Sequence, residues 1–191
     1  MSANGRTHWG YHRLADDWAG RLVASAGVRT GDLVLDVGAG TGALTRPLVA
    51  TGARVVAVEL HPERAAQLRA RYPREVVTVV QADGSDLRLP RRPFRVVANP
   101  PFAIVASLLR RLLHPGSRLV RADLVVPTHV AERWAAGAVR GAGRWHSTFE
   151  CEVGSELPRR AFRPATPAPA AILTISRRPP EGRRARRPPR S

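Results

Sequence analysis

The stretch LVLDVGAGTG, residues 33–42, joins a short apolar run to three glycines at alternate positions. The apolar part, Leu33–Val37, predicts a buried strand, and a helical pattern follows over 43–51. Between them, Gly38, Gly40 and Gly42 predict a tight turn in which backbone N–H groups can approach a ligand closely. A strand, a glycine turn and a helix in this order are typical of a parallel α/β sheet with a binding site at its carboxyl edge.

On both sides of this stretch, apolar runs alternate with amphipathic helical patterns. We predict further strands at Arg54–Glu59, Val76–Ala82, Phe94–Ala98, Ala122–Val126, Trp145–Val153 and Ala170–Ser176, and further helices at Asp16–Ala26, Pro62–Arg71, Ala103–Leu113 and Thr128–Ala136. Such alternation specifies a doubly wound sheet, and the last two strands are expected to form a closing antiparallel pair. The predicted fold class is α/β, a Rossmann-like, mostly parallel seven-stranded sheet with an antiparallel closing strand.

Length and charge limit what the chain can be. Its 191 residues suit one domain, predicted at 11–176 between a flexible N-terminus, 1–10, and a disordered Arg- and Pro-rich tail, 177–191. The formal net charge is +16, from 31 arginines and no lysine against 15 acidic residues. That excess predicts an anionic partner, most simply a nucleic acid.

The composition also argues against several protein classes. No apolar stretch approaches the ~20 residues of a membrane-spanning helix, and no basic amphipathic helix with an aromatic face points to a membrane surface. The N-terminal segment 1–9 has no apolar core of a signal peptide, so we expect a cytoplasmic protein. The one cysteine, Cys151, allows neither an intramolecular disulfide nor a cysteine-based zinc site, and the six histidines lack metal spacing. We therefore expect no bound metal.

A second informative stretch, Asn99-Pro100-Pro101-Phe102, follows the predicted strand Phe94–Ala98. A strand ending in Asn-Pro-Pro can be simple turn chemistry. The alternative is catalytic: the Asn99 and Pro100 carbonyls would accept hydrogen bonds from a planar amine, and Phe102 would stack on its ring. Two such acceptors favour the pyramidal, nucleophilic nitrogen of a transition state. Together with the glycine turn, this stretch is typical of S-adenosylmethionine (SAM)-dependent methyltransferases that act on an amino nitrogen.

Two acidic residues stand where the nucleoside part of such a cofactor would bind. Glu59 ends the second predicted strand and could accept both ribose hydroxyls; otherwise it is an ordinary strand-end acid that caps a helix. Asp83, after the third strand, could accept the adenine amino group or merely cap a turn, and Asp86 is a weaker rival. The spacing Gly-x-Gly-x-Gly differs from the Gly-x-Gly-x-x-Gly of dinucleotide-binding turns, which favours SAM over NAD.

Candidate RNA contacts lie toward the end of the chain. An exposed Phe162 flanked by Arg160 and Arg163 would suit a flipped base, through stacking and phosphate contact. The alternative is a Phe162 packed under its own loop. The predicted tail begins with Arg177 and Arg178, which we expect to contact RNA phosphates.

Over residues 11–178 the chain resembles the macrolide-resistance (Erm) family of 23S rRNA adenine N6-methyltransferases, and their relatives, the small-subunit rRNA dimethyladenosine transferases. The segments that carry the resemblance are 36–45, Glu59, 82–83, 99–102, 130–133 and 162–164. The resemblance implies a Rossmann-like SAM-dependent methyltransferase whose substrate is one adenine in the peptidyl-transferase loop of 23S rRNA. Methylation there would confer resistance to macrolide-type antibiotics.

The resemblance also implies site residues. The family usually opens with Gln-Asn/His-Phe-Leu, and here Tyr11-His12-Arg13-Leu14 takes that place. The implied cofactor-binding residues are His12, Leu14, Asp36, Gly38, Gly40, Gly42, Glu59, Leu60, Ala82, Asp83 and Asn99; the implied catalytic residues are Asn99, Pro100 and Phe102; and the RNA-contacting residues are Phe102, Arg160, Phe162, Arg163, Arg177 and Arg178. We expect a monomer and a short member that lacks the family's C-terminal helical domain.

Other functions remain open from the sequence. Asn-Pro-Pro-aromatic turns also serve methylation of small-subunit rRNA adenine, DNA adenine and protein glutamine. A DNA enzyme would usually add a sequence-reading domain, which we do not find. A non-catalytic RNA-binding factor on a methyltransferase frame is a third possibility, but the intact Asn99 and glycine turn argue against it.

Overall fold

The structure is a computed structural model that describes residues 12–179. Its strands are β1 (Arg13–Leu14), β2 (Leu33–Val37), β3 (Arg54–Glu59), β4 (Val77–Gln81), β5 (Phe94–Ala98), β6 (Leu119–Pro127), β7 (Phe149–Leu157), β8 (Phe162–Arg163) and β9 (Ala170–Arg177). Its helices are α1 (Asp16–Ala26), α2 (Thr45–Ala50), α3 (Pro62–Arg71), α4 (Val105–Leu112) and α5 (Thr128–Ala135). The predicted N-terminal segment 1–10, Tyr11 and the tail beyond 179 lie outside the described residues.

Seven strands form one sheet in the order β4-β3-β2-β5-β6-β9-β7, which confirms the predicted fold class. The pairs among β4, β3, β2, β5 and β6 are all parallel. Strand β9 pairs antiparallel with both β6 and β7, so β7 runs in the same direction as the parallel strands. The expected closing antiparallel pair is therefore wrong in one respect: β9 alone is reversed, inserted between two strands that precede it in the chain.

Both faces of the sheet are covered by helices, which explains why the strands read as continuous apolar runs. Along β2, Val34 packs into the core with α1, α2 and α3, whereas Leu35 packs into the core with α4 and α5. Successive side chains of a strand point to opposite faces, so a single strand serves both cores. The carboxyl ends of β2, β3, β4 and β5 meet at one edge, where the two sequence-predicted turns come together. None of the helices within residues 12–179 has the length and apolar character needed to cross a membrane.

Element ends differ from prediction where tertiary contacts decide them. Strand β7 begins at Phe149 and not at 145, because Trp145 is buried against Trp134 with ring centres 5.6 Å apart. Helix α2 begins at Thr45 and not at 43, so that Pro47 lies in its first turn, where a backbone N–H has no intrahelical partner to lose.

The last strand reaches one residue beyond its predicted end and includes Arg177. The guanidinium of Arg177 donates to the carbonyls of Ser117 and Leu119 and lies 4.6 Å from the centre of the Phe149 ring. The backbone N–H of Arg178 donates to Thr148 and its side chain to His146. The assignment of both arginines to a free tail that contacts RNA is therefore wrong, because main-chain carbonyls of the sheet edge hold them.

A two-stranded ladder that the sequence did not predict joins the start of the described chain to its end. Strands β1 and β8 pair antiparallel, with Arg13 opposite Arg163 and Leu14 opposite Phe162. Leu14 and Phe162 are each 1% exposed in the core beneath α1. The prediction of an exposed Phe162 is wrong, because burying so large an apolar ring in an available core is strongly favourable.

Candidate functional site

A cavity of about 230 Å³ opens at the carboxyl edge of β2–β5. Nine of the residues predicted as site residues line it: His12, Gly38, Glu59, Leu60, Ala82, Asp83, Asn99, Pro100 and Phe102. They come from five separate parts of the chain, and the fold alone brings them together. Leu60 is 41% exposed, an unusual position for a large apolar side chain and one suited to covering a flat ring.

A second, much smaller cavity of about 20 Å³ adjoins the first and contains the predicted residues Leu14 and Asp36. Gly38 and Asn99 line both cavities, so they form the partition between them. The predicted cofactor residues thus fall into two connected groups, one on each side of this partition. Gly40 and Gly42 are buried or exposed at the turn itself and line neither cavity.

Gly38 is the point at which the glycine turn touches the Asn-Pro-Pro turn. Its φ of +77° lies in the left-handed region that favours glycine. A Cβ at this position would lie 2.9 Å from Cδ of Pro101 and 3.3 Å from Cα of Pro100. Any side chain here would therefore push the two turns apart.

Glu59 holds the glycine turn in place from the end of β3. Its Oε2 accepts a 2.7 Å hydrogen bond from the Gly40 N–H, and its Oε1 accepts a 2.8 Å bond from the His61 N–H. The side chain is buried, with 6% of the residue exposed. Each carboxylate oxygen has two lone pairs, so both oxygens keep acceptor capacity for a ligand in the cavity. The two interpretations of Glu59, cap and ligand, are thus compatible.

We expect Glu59→Gln to weaken SAM binding. The amide would lose the negative charge and would turn an NH₂ group toward either Gly40 or His61, both of which present N–H donors. Loss of a charged acceptor corresponds to about 1.5–3 kcal/mol. Calorimetric titration with SAM measures the change, and an affinity equal to that of the parent would reject Glu59 as a cofactor ligand.

Asp36 is a buried carboxyl group on the other side of the partition. Burial, reinforced by the nearby charge of Glu59 and opposed by a 2.7 Å hydrogen bond from the Thr45 hydroxyl, raises the pKa of Asp36 to about 7. Such a carboxyl group is ionised more readily when a positive charge approaches it. Its place in the small cavity suits contact with the cationic amino-acid part of a ligand.

Asp83 follows β4 and has two features at once. Its Oδ1 accepts a 2.8 Å bond from the Ser85 N–H, which makes it the turn cap of the alternative interpretation, and the residue also lines the large cavity. Asp86 instead pairs with Arg111 and does not line the cavity. Sequence reasoning missed Gly84, where a Cβ would lie 2.6 Å from Val37 and 2.9 Å from Ile104. The Asp-Gly pair after a strand was the available signal.

Asn99 is oriented by the main chain of His12. Its Nδ2 donates a 2.7 Å hydrogen bond to the His12 carbonyl, 87 residues earlier in the sequence. A carbonyl can only accept, so this bond assigns the amide nitrogen and leaves Oδ1 as the acceptor for a ligand. Phe102 lies beside it, with its ring centre 6.4 Å from that of His12. The site therefore offers a carbonyl acceptor and an aromatic ring at one place.

The predicted RNA contacts are only partly brought to this site. Arg160 and Arg163 are exposed in the segment before and within β8, whereas Phe162 is buried. A broad groove of about 740 Å³, which we call the basic groove, is lined by Arg91, Arg110, Arg111 and His114 together with several serines. It begins at Ser85, next to Gly84 of the large cavity, and was not predicted from the sequence.

Comparisons with known proteins agree with this geometry. The family described as ribosomal RNA adenine dimethylase matches residues 3–183. The chain is 34% identical over 151 residues to the rRNA adenine N-6-methyltransferase of Corynebacterium diphtheriae, covering 78% of this chain and 59% of the relative. It is 33% identical over 186 residues to the ribosomal RNA small subunit methyltransferase A of Thermosynechococcus vestitus, covering 89% and 69%.

Among solved structures, the fold is similar to that of the 23S rRNA methyltransferase ErmE, with a TM-score of 0.74 and 28% identity. That match covers 86% of this chain and 69% of the other. The chain thus spans between about three fifths and seven tenths of the length of these relatives.

Proposed function

The chain belongs to the ribosomal RNA adenine dimethylase family, and we propose that it methylates N6 of an adenine in the peptidyl-transferase loop of 23S rRNA. The methyl donor of the family is SAM. The observation that carries the proposal is the orientation of Asn99, whose Oδ1 is left as an acceptor beside Phe102 at the mouth of the cavity. An acceptor next to an aromatic ring suits a planar amino group and little else.

The residues around the cavities fit SAM. Glycine at position 38 leaves a cradle that any Cβ would fill, and the buried Glu59 carboxylate supplies the charged acceptor that a ribose needs. Asp36 in the adjoining cavity supplies an acid for a cationic amino group. When bound, SAM supplies an electrophilic methyl group on a sulfonium.

The protein's own residues then prepare the acceptor. Oδ1 of Asn99 and the carbonyl of Pro100 accept hydrogen bonds from the amine, which favours a nitrogen lone pair directed out of the ring plane. Phe102 stacks on the base once it has left its own stack. Holding both partners in line supplies most of the rate increase, since such positioning is worth roughly 7–11 kcal/mol at best.

The choice of 23S over small-subunit rRNA rests on the likeness to ErmE. The similarity to a small-subunit methyltransferase favours the alternative substrate, a small-subunit rRNA adenine. Methyl-labelled SAM, offered with protein-free 23S rRNA, 16S rRNA, DNA or protein, separates these possibilities. We expect N6-methyladenine in 23S rRNA. Label in 16S rRNA alone would establish the alternative, and no transfer by a folded, SAM-binding protein would favour a non-catalytic RNA-binding factor.

We further propose that this methylation protects ribosomes from macrolide-type antibiotics. Expression of the chain in a susceptible host should raise the inhibitory concentration of such a drug, and expression of the Asn99→Ala variant should not. Equal susceptibility of both strains, with methylated 23S rRNA in the first, would reject resistance while leaving the reaction intact.

The basic groove offers a path for the RNA next to the target adenine. It lies on the α4 face of the sheet, and its exposed Arg91 and Arg110 side chains can contact phosphates. We expect the double variant Arg91→Ala/Arg110→Ala to bind rRNA more weakly. The salt slope of binding should fall by about 0.7 for each phosphate that the variant no longer neutralises. Its SAM affinity should be unchanged.

A matched control for this prediction is Arg69→Ala/Arg74→Ala. It removes the same charge from exposed positions at the end of α3 and just after it, on the opposite face of the sheet. RNA affinity at several salt concentrations is the measurement. Equal losses of affinity in the two double variants would show that only net charge matters and that the groove has no special role.

A further inference from the structure

The structure determines which nitrogen of His12 carries the proton. Nδ1 lies 3.1 Å from the carbonyl oxygen of Pro164. Because a carbonyl can only accept, Nδ1 is the donor, and the neutral imidazole keeps its lone pair on Nε2. The bond forms where β1 and β8 pair, so the ladder between them holds the ring in one orientation.

The His12 ring lies beside the residues that receive the target amine. It lines the large cavity with Asn99 and Phe102, while its own main-chain carbonyl orients Asn99. Its ring centre is 6.4 Å from that of Phe102, on which the target base would stack. A lone pair of an imidazole is thus fixed next to the place where the amino nitrogen must react.

The reaction needs a proton acceptor at this place. As the amino nitrogen forms its bond to the methyl carbon it becomes positively charged, and one of its protons must leave. The Asn99 and Pro100 oxygens accept hydrogen bonds but are too weakly basic to keep a proton. The other titratable groups that line the cavity are Glu59, Arg64 and Asp83. Arg64 has no acceptor atom, and the two carboxylates are held by backbone N–H groups on the cofactor side.

We propose that His12 is a catalytic residue whose Nε2 takes the proton released by the methylated amine, an inference that rests on the proposed function. The bond from N6 to the methyl carbon forms as the carbon–sulfur bond breaks with its electron pair remaining on sulfur. One N6–H proton passes to Nε2, and the imidazolium then returns it to solvent. For a second methylation, this transfer restores the lone pair on N6.

A pH profile alone would not identify this step. The charged groups around His12 are Arg13, which pairs with Asp16, and Arg163 on the ladder, with Glu59, Arg64 and Asp83 in the cavity. In addition, Asp36 in the adjoining cavity has a pKa raised to about 7 by burial. Both Asp36 and an imidazole change charge in the neutral range, so chemical rescue is the more selective test.

The test uses His12→Ala, with and without added imidazole, in single-turnover methylation of 23S rRNA at saturating SAM. We expect the rate to fall on the order of 10²-fold and imidazole to restore at least a tenfold part of it, since general base catalysis contributes about 10²–10⁴. Asn99→Ala is the control and should not respond to imidazole. A folded His12→Ala protein that binds SAM but shows no rescue would overturn the proposal.

Two further measurements cover the remaining outcomes. His12→Asn keeps the main-chain bond to Asn99 and a donor for Pro164 but cannot hold a proton, and a rate within threefold of the parent would also overturn the proposal. The ¹⁵N spectrum of histidine-labelled parent protein without cofactor should show the Nδ1–H form of His12, and the Nε2–H form would contradict it. A parent that methylates no rRNA would instead reject the proposed function itself, and the proposal with it.

Discussion

Replacing Asn99 with alanine is expected to reduce methyl transfer on the order of 10²–10³-fold, the loss seen when one preorganised polar partner of a transition state is removed. The structure gives the reason: Nδ2 of Asn99 is committed to the His12 carbonyl, and Oδ1 is the remaining acceptor for the amine. SAM affinity should change little, because the cavity wall on the cofactor side is formed by other residues. Single-turnover rates and calorimetric titration measure the two quantities separately.

The Asn99→Ala experiment can fail in two ways. A rate within tenfold of the parent would reject Asn99 as the acceptor that holds the amine. A loss of SAM affinity as large as the loss of rate would mean that Asn99 acts through the partition between the two cavities. A thermal melt of the variant shows whether release of the His12 carbonyl disturbs the fold.

The second large effect is expected for Gly38→Ala. The new Cβ would enter the left-handed region, an unfavourable conformation by about 1–2 kcal/mol, and would lie 2.9 Å from the rigid ring of Pro101. The two turns must then separate, and a displacement of about 1 Å at a reacting centre can reduce the rate on the order of 10²-fold. We therefore expect losses in both SAM affinity and methyl transfer.

Gly27→Ala is the matched control for this substitution. Gly27 also has a positive φ, +61°, but a Cβ there would meet nothing within 4 Å. It should reduce stability by about 1–2 kcal/mol through backbone strain, with no change in SAM affinity. If Gly27→Ala impaired SAM binding as much as Gly38→Ala does, contact between the two turns would not be the cause.

The two turns and most of the cavity lining could be predicted from the sequence because their signals are local. The glycine spacing, the Asn-Pro-Pro stretch and Glu59 each follow a recognisable apolar strand, and parallel strands place their carboxyl ends at one edge. Together with the family resemblance, those rules place nine of the predicted residues around one cavity. The covered sheet likewise follows from continuous apolar strands.

Other features depended on partners far away in the chain. Phe162 has the same sequence neighbours whether it is exposed or buried, and only its pairing opposite Leu14 decides that it is buried. Arg177 reads as part of a basic tail, but carbonyls of Ser117 and Leu119 hold it in the sheet. Neither partner is visible in a local pattern.

The sequence by itself thus determined the fold class, the cofactor and the residues proposed to meet the amine, since each depends on short-range periodicity or on a turn. The tertiary structure decided how those residues are oriented. Asn99 receives its orientation from a carbonyl 87 residues away, and His12 receives its proton position from Pro164, 152 residues away. Hydrogen-bond direction depends on which acceptor the fold brings within about 3 Å, and no local sequence pattern contains that information.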